Sequence, residues 1–235
     1  MRRLSLPLLL LLGATATAEA KPPVRTFTIG HSVRGRAILA YRVGDVATAG
    51  RSALVVGEIH GNERAGEAVA RHLLRTEPPA GVLVWVVPQL NPDGAAAGTR
   101  QNARGVDLNR NFGFRWRRLG RPGGVFWSGP RPFSEPESRA ARRLILRIRP
   151  RLAVWYHQHL RLVDEASGGD PRAARRYARR VGLPARRLPR YPGRATGWEN
   201  HAVPGGSAFA VELAGGRLAP AGVRRHAMAV LGLSR

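Results

Sequence analysis

His60-Gly61-Asn62-Glu63 sets an imidazole and a carboxylate three residues apart, just beyond the apolar run Leu54-Val55-Val56-Gly57. Residues i and i+3 share one side of a helical turn, so both groups can face a single point. Zinc accepts such a pair together with a second histidine, leaving a fourth position for water. H-x-x-E alone also arises where a loop histidine precedes a helix-start glutamate favoured by the helix dipole. The pattern gains weight from repetition. His157 ends the run Leu152–Tyr156 and Glu212 ends Ala208–Val211, so groups of ligand or acid–base type stand at three expected strand ends.

The elements that must position these groups alternate in type. Ala37–Val43, Ser52–Gly57 and Val82–Val87 read as strands, and Gly66–Leu74 as a helix between the second and third. Ser134-Glu135-Pro136-Glu137 has the capping-box pattern and predicts a helix through Ile148, stopped by Pro150. Leu152–Tyr156 follows as a buried strand, then a helix over Pro171–Val181, a strand over Ala208–Glu212 and a closing helix over Pro220–Leu231. Strands alternating with helices imply an α/β fold, a central sheet covered on both faces. Ligands in such sheets sit beyond the carboxyl ends of the strands, where His60, His157 and Glu212 are expected. No internal repeat or long linker divides residues 21–235, which are read as one domain.

Composition removes several classes of function. With no Cys among 235 residues, disulfide scaffolds, thiolate zinc sites and cysteine nucleophiles are excluded. The 39 Lys+Arg outnumber 15 Asp+Glu, for a net charge of +24, and all the basic residues but Lys21 are Arg. Such a surface is suited to anionic polymers. Residues 1–20 point away from nucleic acid: Arg2 and Arg3, the apolar run Leu4–Leu12 and Ala18-Glu19-Ala20 read as a secretory signal with a small-x-small cleavage site. The apolar run is shorter than the roughly 20 residues of a membrane span. The expected localisation is therefore secreted, periplasmic or associated with the cell wall, with no transmembrane span after cleavage and an anionic wall polymer as a partner.

The stretch from Asn91 changes the chemical reading. Asn91-Pro92-Asp93-Gly94, Thr99-Arg100 and Gly105-Val106-Asp107-Leu108-Asn109-Arg110-Asn111-Phe112 together resemble the zinc carboxypeptidase family, the carboxypeptidase A-like metallopeptidases. The likeness extends to Gly30-His31-Ser32, to Phe133-Ser134-Glu135-Pro136-Glu137 and to Phe209-Ala210-Val211-Glu212-Leu213, and so runs from about residue 28 to 215. It implies a single-domain carboxypeptidase A-like fold with a mixed central sheet. His60, Glu63 and His157 would hold one zinc ion, with Asp107 orienting His60. Glu212 would be the general base and Arg100 would stabilise the oxyanion. Asn109, Arg110 and Tyr191 would bind the substrate, the first two at its free carboxylate.

His159, two residues past His157, is the alternative ligand if the strand ends later. Thr196 and Gly197 bring no acid to the segment that sets terminal-residue preference in the family, although Glu199 is near. Trp116 and Trp127 either line the cleft or pin the long 113–132 loop. Arg172, Arg175, Arg176, Arg179 and Arg180 read as the solvated face of one helix, with a docking surface for cell-wall phosphates or carboxylates as the alternative. The chain is short for the family, and small bacterial members resemble murein peptide amidases, which cut between γ-D-glutamate and diaminopimelate. The expected function is thus a secreted, monomeric zinc hydrolase acting on a peptide or peptidoglycan-derived peptide, made without an inhibitory pro-domain. Two alternatives stand beside it: a deacylase of the aspartoacylase or succinylglutamate desuccinylase type, which shares H-G-N-E, and a non-catalytic wall-binding module.

Overall fold

Leu54, Val55 and Val56 offer no polar face, and a strand of that kind needs cover on both sides. In the computed structural model, which describes residues 23–47, 49–165 and 168–234, their strand β3 (Arg51–Val56) lies in the middle of a mixed sheet. The expected signal peptide, 1–20, lies outside the described residues. β3 pairs in parallel with β4 (Val82–Val87) on one edge and β5 (Leu152–Asp164) on the other. Beyond β4 the antiparallel pair β1 (Val24–His31) and β2 (Ala37–Val43) completes one side. On the other side β7 (Ser207–Ala214) pairs with β5, and the short β6 (Ala185–Arg186) pairs with the end of β5.

Alternation along the strands divides the core in two. Ala53, Val55, Val154, Tyr156, Phe209 and Val211 pack beneath α1 (Ala65–Leu73), α4 (Pro171–Val181) and α6 (Pro220–Leu233). Leu54, Val56, Ala153, Trp155 and Ala208 face α3 (Pro136–Ile148) and α5 (Ala195–Ala202). The two-residue period of a strand sends neighbours to opposite faces, so each apolar run feeds both layers. The α/β expectation is met, with helices on both faces of a mixed sheet. Among the described residues no helix is long and apolar enough to cross a membrane.

Two local expectations need correction. β5 continues past Tyr156 to Asp164. It climbs β7 in register from Leu152↔Ser207 to His159↔Ala214, then descends it through Leu162↔Glu212 and Asp164↔Ala210. Pairing to β7 on both limbs is what extends the strand, and that pairing is invisible in a local apolar count. Ser134 does not cap α3: Glu135 is the N-cap, without a side-chain cap bond, and Pro136 occupies the first turn. Ser134 instead donates to the Glu135 carboxylate and accepts from Asn111. The segment around Trp198, to which the sequence assigned no element, is helix α5, whose Ala195 and Trp198 are buried in the second core layer.

Close packing brings α1 against the sheet. A methyl on Gly66 would meet the Gly57 carbonyl and Tyr156 Cβ, each 2.3 Å away. Gly66→Ala is therefore expected to destabilise by about 1–3 kcal/mol, the usual cost of overpacking. Thermal unfolding reads this as a fall in Tm of roughly 2–4 °C per kcal/mol for a domain of this size.

Candidate active site

The chain leaves β3 through Glu58-Ile59 into a tight turn, in which the Glu63 N–H donates to the His60 carbonyl at 3.0 Å. His60 and Glu63 thus share a side through a reverse turn ahead of α1, in place of the expected helical turn. Gly61 is required there, because a Cβ would lie 1.9 Å from the Gly94 carbonyl carbon. Gly94 belongs to α2 (Pro92–Ala97), which Asn91 caps by accepting from the Gly94 N–H, with Pro92 at the first turn. The Asn91-Pro92-Asp93-Gly94 motif therefore builds the shelf on which the His60 turn rests. Asp93 anchors that shelf by accepting from the Arg34 N–H and pairing with Arg36.

Three donor atoms meet at this point. His60 Nδ1 lies 2.9 Å from Glu63 Oε2, His157 Nδ1 lies 2.9 Å from the same oxygen, and the two Nδ1 atoms are 3.2 Å apart. A tetrahedral ion with bonds of about 2.0–2.1 Å separates its ligand atoms by about 3.3 Å. The triangle is of that size, all three residues are buried, and their chemistry is the His₂Glu set. The donor set fits one zinc ion. Asp107 lies 3.0 Å from His60 Nε2, the arrangement that leaves Nδ1 free to ligate. Asp107→Asn is expected to weaken zinc binding about 10–100-fold, read by competition with a chromophoric chelator.

The rest of the 107–112 motif knits the site to its surroundings. The Asp107 carboxylate accepts from the Asn109 N–H and so starts the 3-10 turn Leu108–Arg110. The Asn109 side chain accepts from the Ala195 N–H at the start of α5 and places its amide nitrogen 3.4 Å from His157 Nε2. Asn111 donates to the Ser128 and Arg131 carbonyls and accepts from the Glu135 N–H and the Ser138 hydroxyl, tying the 113–132 loop to α3. Phe112 packs among Phe133, Trp155 and Trp198. Gln158, next to His157, accepts from the Ala65 N–H and so serves the otherwise uncapped start of α1.

Charge in the site is arranged around these groups. Burial opposes ionisation of Glu63, but His60 and His157 outweigh it and hold the carboxyl far below the usual range. Asp107 is depressed in the same way, against burial, by His60 and then by Arg100. Arg100 donates to both carboxylates, at 2.9 Å to Glu63 and 3.0 Å to Asp107. Glu212 stands in register with His157 on the adjacent strand, its Oε2 buried with no hydrogen-bond partner among the described residues. Burial raises its pKa, countered by His157.

The cleft runs on from the cluster in two directions. One depression, of about 350 Å³, is lined by Asn62, Glu63, Arg100, Gln158, His159 and Gly216 among others. His159 is exposed there and stands outside the donor triangle, which takes in His157 even though the strand runs on. On the other side Arg110 is buried, donates to its neighbour's carbonyl through Nη1, and keeps an Nε with no partner among the described residues. Its guanidinium lies 4.6 Å from the Tyr191 ring centroid, and Tyr191 is 49% exposed.

Phe126 escaped the sequence reading. It is 51% exposed and its ring lies 5.4 Å from the Arg100 guanidinium and 5.7 Å from that of Arg110, bridging the two. Trp116 and Trp127 do the pinning: Trp116 donates to the Ser128 carbonyl and the Trp127 carbonyl accepts from the Asp107 N–H. The available signal was four aromatics in one long loop, Phe114, Trp116, Phe126 and Trp127, and only the fold shows how each of them is placed.

Comparison with known proteins places the chain in a family. A family described as zinc carboxypeptidase matches residues 14–163, a stretch that holds His60, Glu63, Asp107 and His157 and ends before Glu212. Murein peptide amidase A of Escherichia coli K12 is 33% identical over 154 residues, spanning 61% of this chain and 63% of that protein. The crystal structure of murein-tripeptide amidase from Escherichia coli O157 superposes with a TM-score of 0.71 at 28% identity, over 92% of this chain and 93% of the other. Carboxypeptidase A from Helicoverpa armigera shares the fold, with a TM-score of 0.74 at 19% identity over 89% of this chain and 69% of that one. With the matched stretch covering most of the chain and the donor triangle inside it, the chain belongs to the zinc carboxypeptidase family.

Proposed function

We propose that the protein is an exported zinc peptidase that hydrolyses the last amide bond of a murein peptide, between γ-D-glutamate and diaminopimelate. The observation that carries the reading is the His60–Glu63–His157 triangle set between the Arg100 side of the cleft and the Arg110–Tyr191 side. Zinc held by His60, Glu63 and His157 would lower the pKa of water and polarise a carbonyl. Glu212 takes the proton of the attacking water and passes it to the leaving amine. Its position in register with His157 on the adjacent strand supports that role.

Arg100 faces the oxygen of the scissile carbonyl as negative charge gathers on it. Arg110, beside Asn109, holds the free carboxylate of the terminal residue through its uncommitted N–H groups. Tyr191 closes over the same residue from the exposed loop ahead of α5. Arg110→Ala is expected to raise KM about tenfold or more for substrates with a free terminal carboxylate, with a much smaller effect on their amides. Steady-state kinetics on matched acid and amide pairs checks this.

Export through residues 1–20 and retention on an anionic wall polymer complete the reading, with the enzyme acting as a monomer and not on nucleic acid. The distribution of charge supports retention. Glu58, Glu63, Asp93, Asp107, Glu135, Glu137, Asp164 and Glu199 are buried. Among the described residues Asp45, Glu77 and Asp170 are the exposed carboxylates, against arginines exposed on both faces of the sheet. The fold spends its acids internally and leaves a surface more uniformly cationic than the net charge suggests.

The deciding experiment is mass spectrometry of products after the zinc-loaded protein meets murein tripeptide and an ordinary peptide mixture, with a chelated control. Chelator-sensitive release of diaminopimelate from the tripeptide is the expected result. Trimming of ordinary C-termini alone would make it a general carboxypeptidase, and silence on both would overturn the peptidase reading.

A further inference from the structure

Past Tyr191 the cleft opens into a second depression, of about 370 Å³, walled in part by Phe114, Arg115, Arg117, Arg190, Arg194 and Tyr191. No carboxylate lines it. Arg194 is neutralised by the buried Asp164. Arg115, Arg117 and Arg190 have no carboxylate partner among the described residues: Arg190 makes its hydrogen bond to the Glu165 main-chain carbonyl, and the Glu165 carboxylate pairs with Arg175 and Arg187. The first turn of α5 adds Thr196 and Gly197 to the wall, so the positive end of that helix dipole points the same way.

Glu199, the nearby acid in the sequence, does not offset this charge. It is 2% exposed, and its Oε2 accepts from the Trp155 indole N–H at 2.7 Å, on the core side of α5. A terminal residue with a basic side chain would therefore meet only like charge here. Three guanidinium groups without a carboxylate partner among the described residues, around one depression, suit a carboxylate, which such groups bind through paired, charge-assisted hydrogen bonds.

We infer that this depression takes a carboxylate borne on the side chain of the released residue, making the enzyme selective for dicarboxylic terminal residues through Arg115, Arg117 and Arg190. The inference rests on the peptidase reading and specifies its substrate: the Arg110 side holds the main-chain carboxylate and the arginine wall holds the second one. Diaminopimelate carries both a side-chain carboxylate and an ammonium group, and on this view the carboxylate is what is read.

The test is a tripeptide series, L-Ala-γ-D-Glu-X, in which X is lysine (ammonium only), diaminopimelate (both groups) or 2-aminopimelate (carboxylate only). N-acyl-Ala-Glu and N-acyl-Ala-Gln form a parallel pair with an ordinary peptide bond. The zinc enzyme should turn over the diaminopimelate and 2-aminopimelate peptides with kcat/KM about tenfold or more above the lysine peptide. A double R117Q/R190Q variant should compress that ratio to about threefold or less, and R117E/R190E should move preference toward lysine. Lysine accepted as well as 2-aminopimelate would overturn the inference, and so would diaminopimelate accepted with 2-aminopimelate refused. An unchanged ratio in both variants would remove these arginines from the role. Hydrolysis of the N-acyl pair alone would sink the murein substrate while Glu over Gln still upheld the arginine wall. No release from any member would sink the peptidase reading itself.

Discussion

Glu212→Gln is expected to lower kcat by roughly 10²–10⁴-fold while zinc content is kept, the range that a positioned acid–base group contributes. Glutamine keeps the shape of the side chain in β7, between the buried Val211 and Leu213, but cannot accept and return a proton. The donor triangle does not include Glu212, so the ion should remain. Fold stability should not fall either. The Glu212 Oε2 is buried with no hydrogen-bond partner among the described residues and burial raises its pKa, so its charged form costs stability above the ordinary carboxyl pKa. A group with a raised carboxyl pKa favours the folded state less as pH rises through its ordinary value, and a neutral amide removes that cost. Paired measurements of kcat, bound zinc and Tm separate the outcomes: a variant that keeps its activity removes Glu212 as the base, and one that loses zinc makes it part of the metal site.

His157→Ala should abolish stable zinc binding and activity together. His157 is one of three donors and brings its Nδ1 within 2.9 Å of Glu63 and 3.2 Å of His60 from a strand 97 residues away from the latter. Removing it leaves two protein ligands, and the loss should exceed the roughly 10–100-fold typical of an outer partner such as Asp107. Binding to the folded state alone also stabilises it by mass action. The wild-type protein should therefore gain Tm with added zinc and lose it with chelator, while the variant responds to neither. A variant that still takes up one tightly held zinc would point to a different donor set, with the exposed His159 as the first residue to examine.

The two outcomes together distinguish the readings that the sequence left standing. A wall-binding module would keep its zinc response and show no turnover for Glu212→Gln to lose. A deacylase would show the turnover but release an acyl group from an amino acid instead of a terminal residue. Both depend on the same triangle, so the substrate side of the cleft carries the distinction between them.

What was legible in the sequence was local. Apolar runs marked β2, β4 and α4 at their true bounds, because strand alternation and helix caps are short-range interactions: Asp170, Pro171 and Gly182 start and stop α4 by themselves. The H-x-x-E pair offered donor types that zinc accepts, and the 107–112 motif named the chemistry through its resemblance to the zinc carboxypeptidase family. Tertiary structure decided where those types meet. Register between β5 and β7 set His157 beside Glu212 and carried β5 far beyond its apolar run, because pairing partners lie some 55 residues apart and leave no trace in the strand's own pattern. Burial decided which acids lie inside, and so left Arg115, Arg117 and Arg190 without a carboxylate partner among the described residues around the depression beside Tyr191. It also turned Glu199 inward and Phe126 outward, two directions that depend on how α5 and the 113–132 loop pack on the sheet.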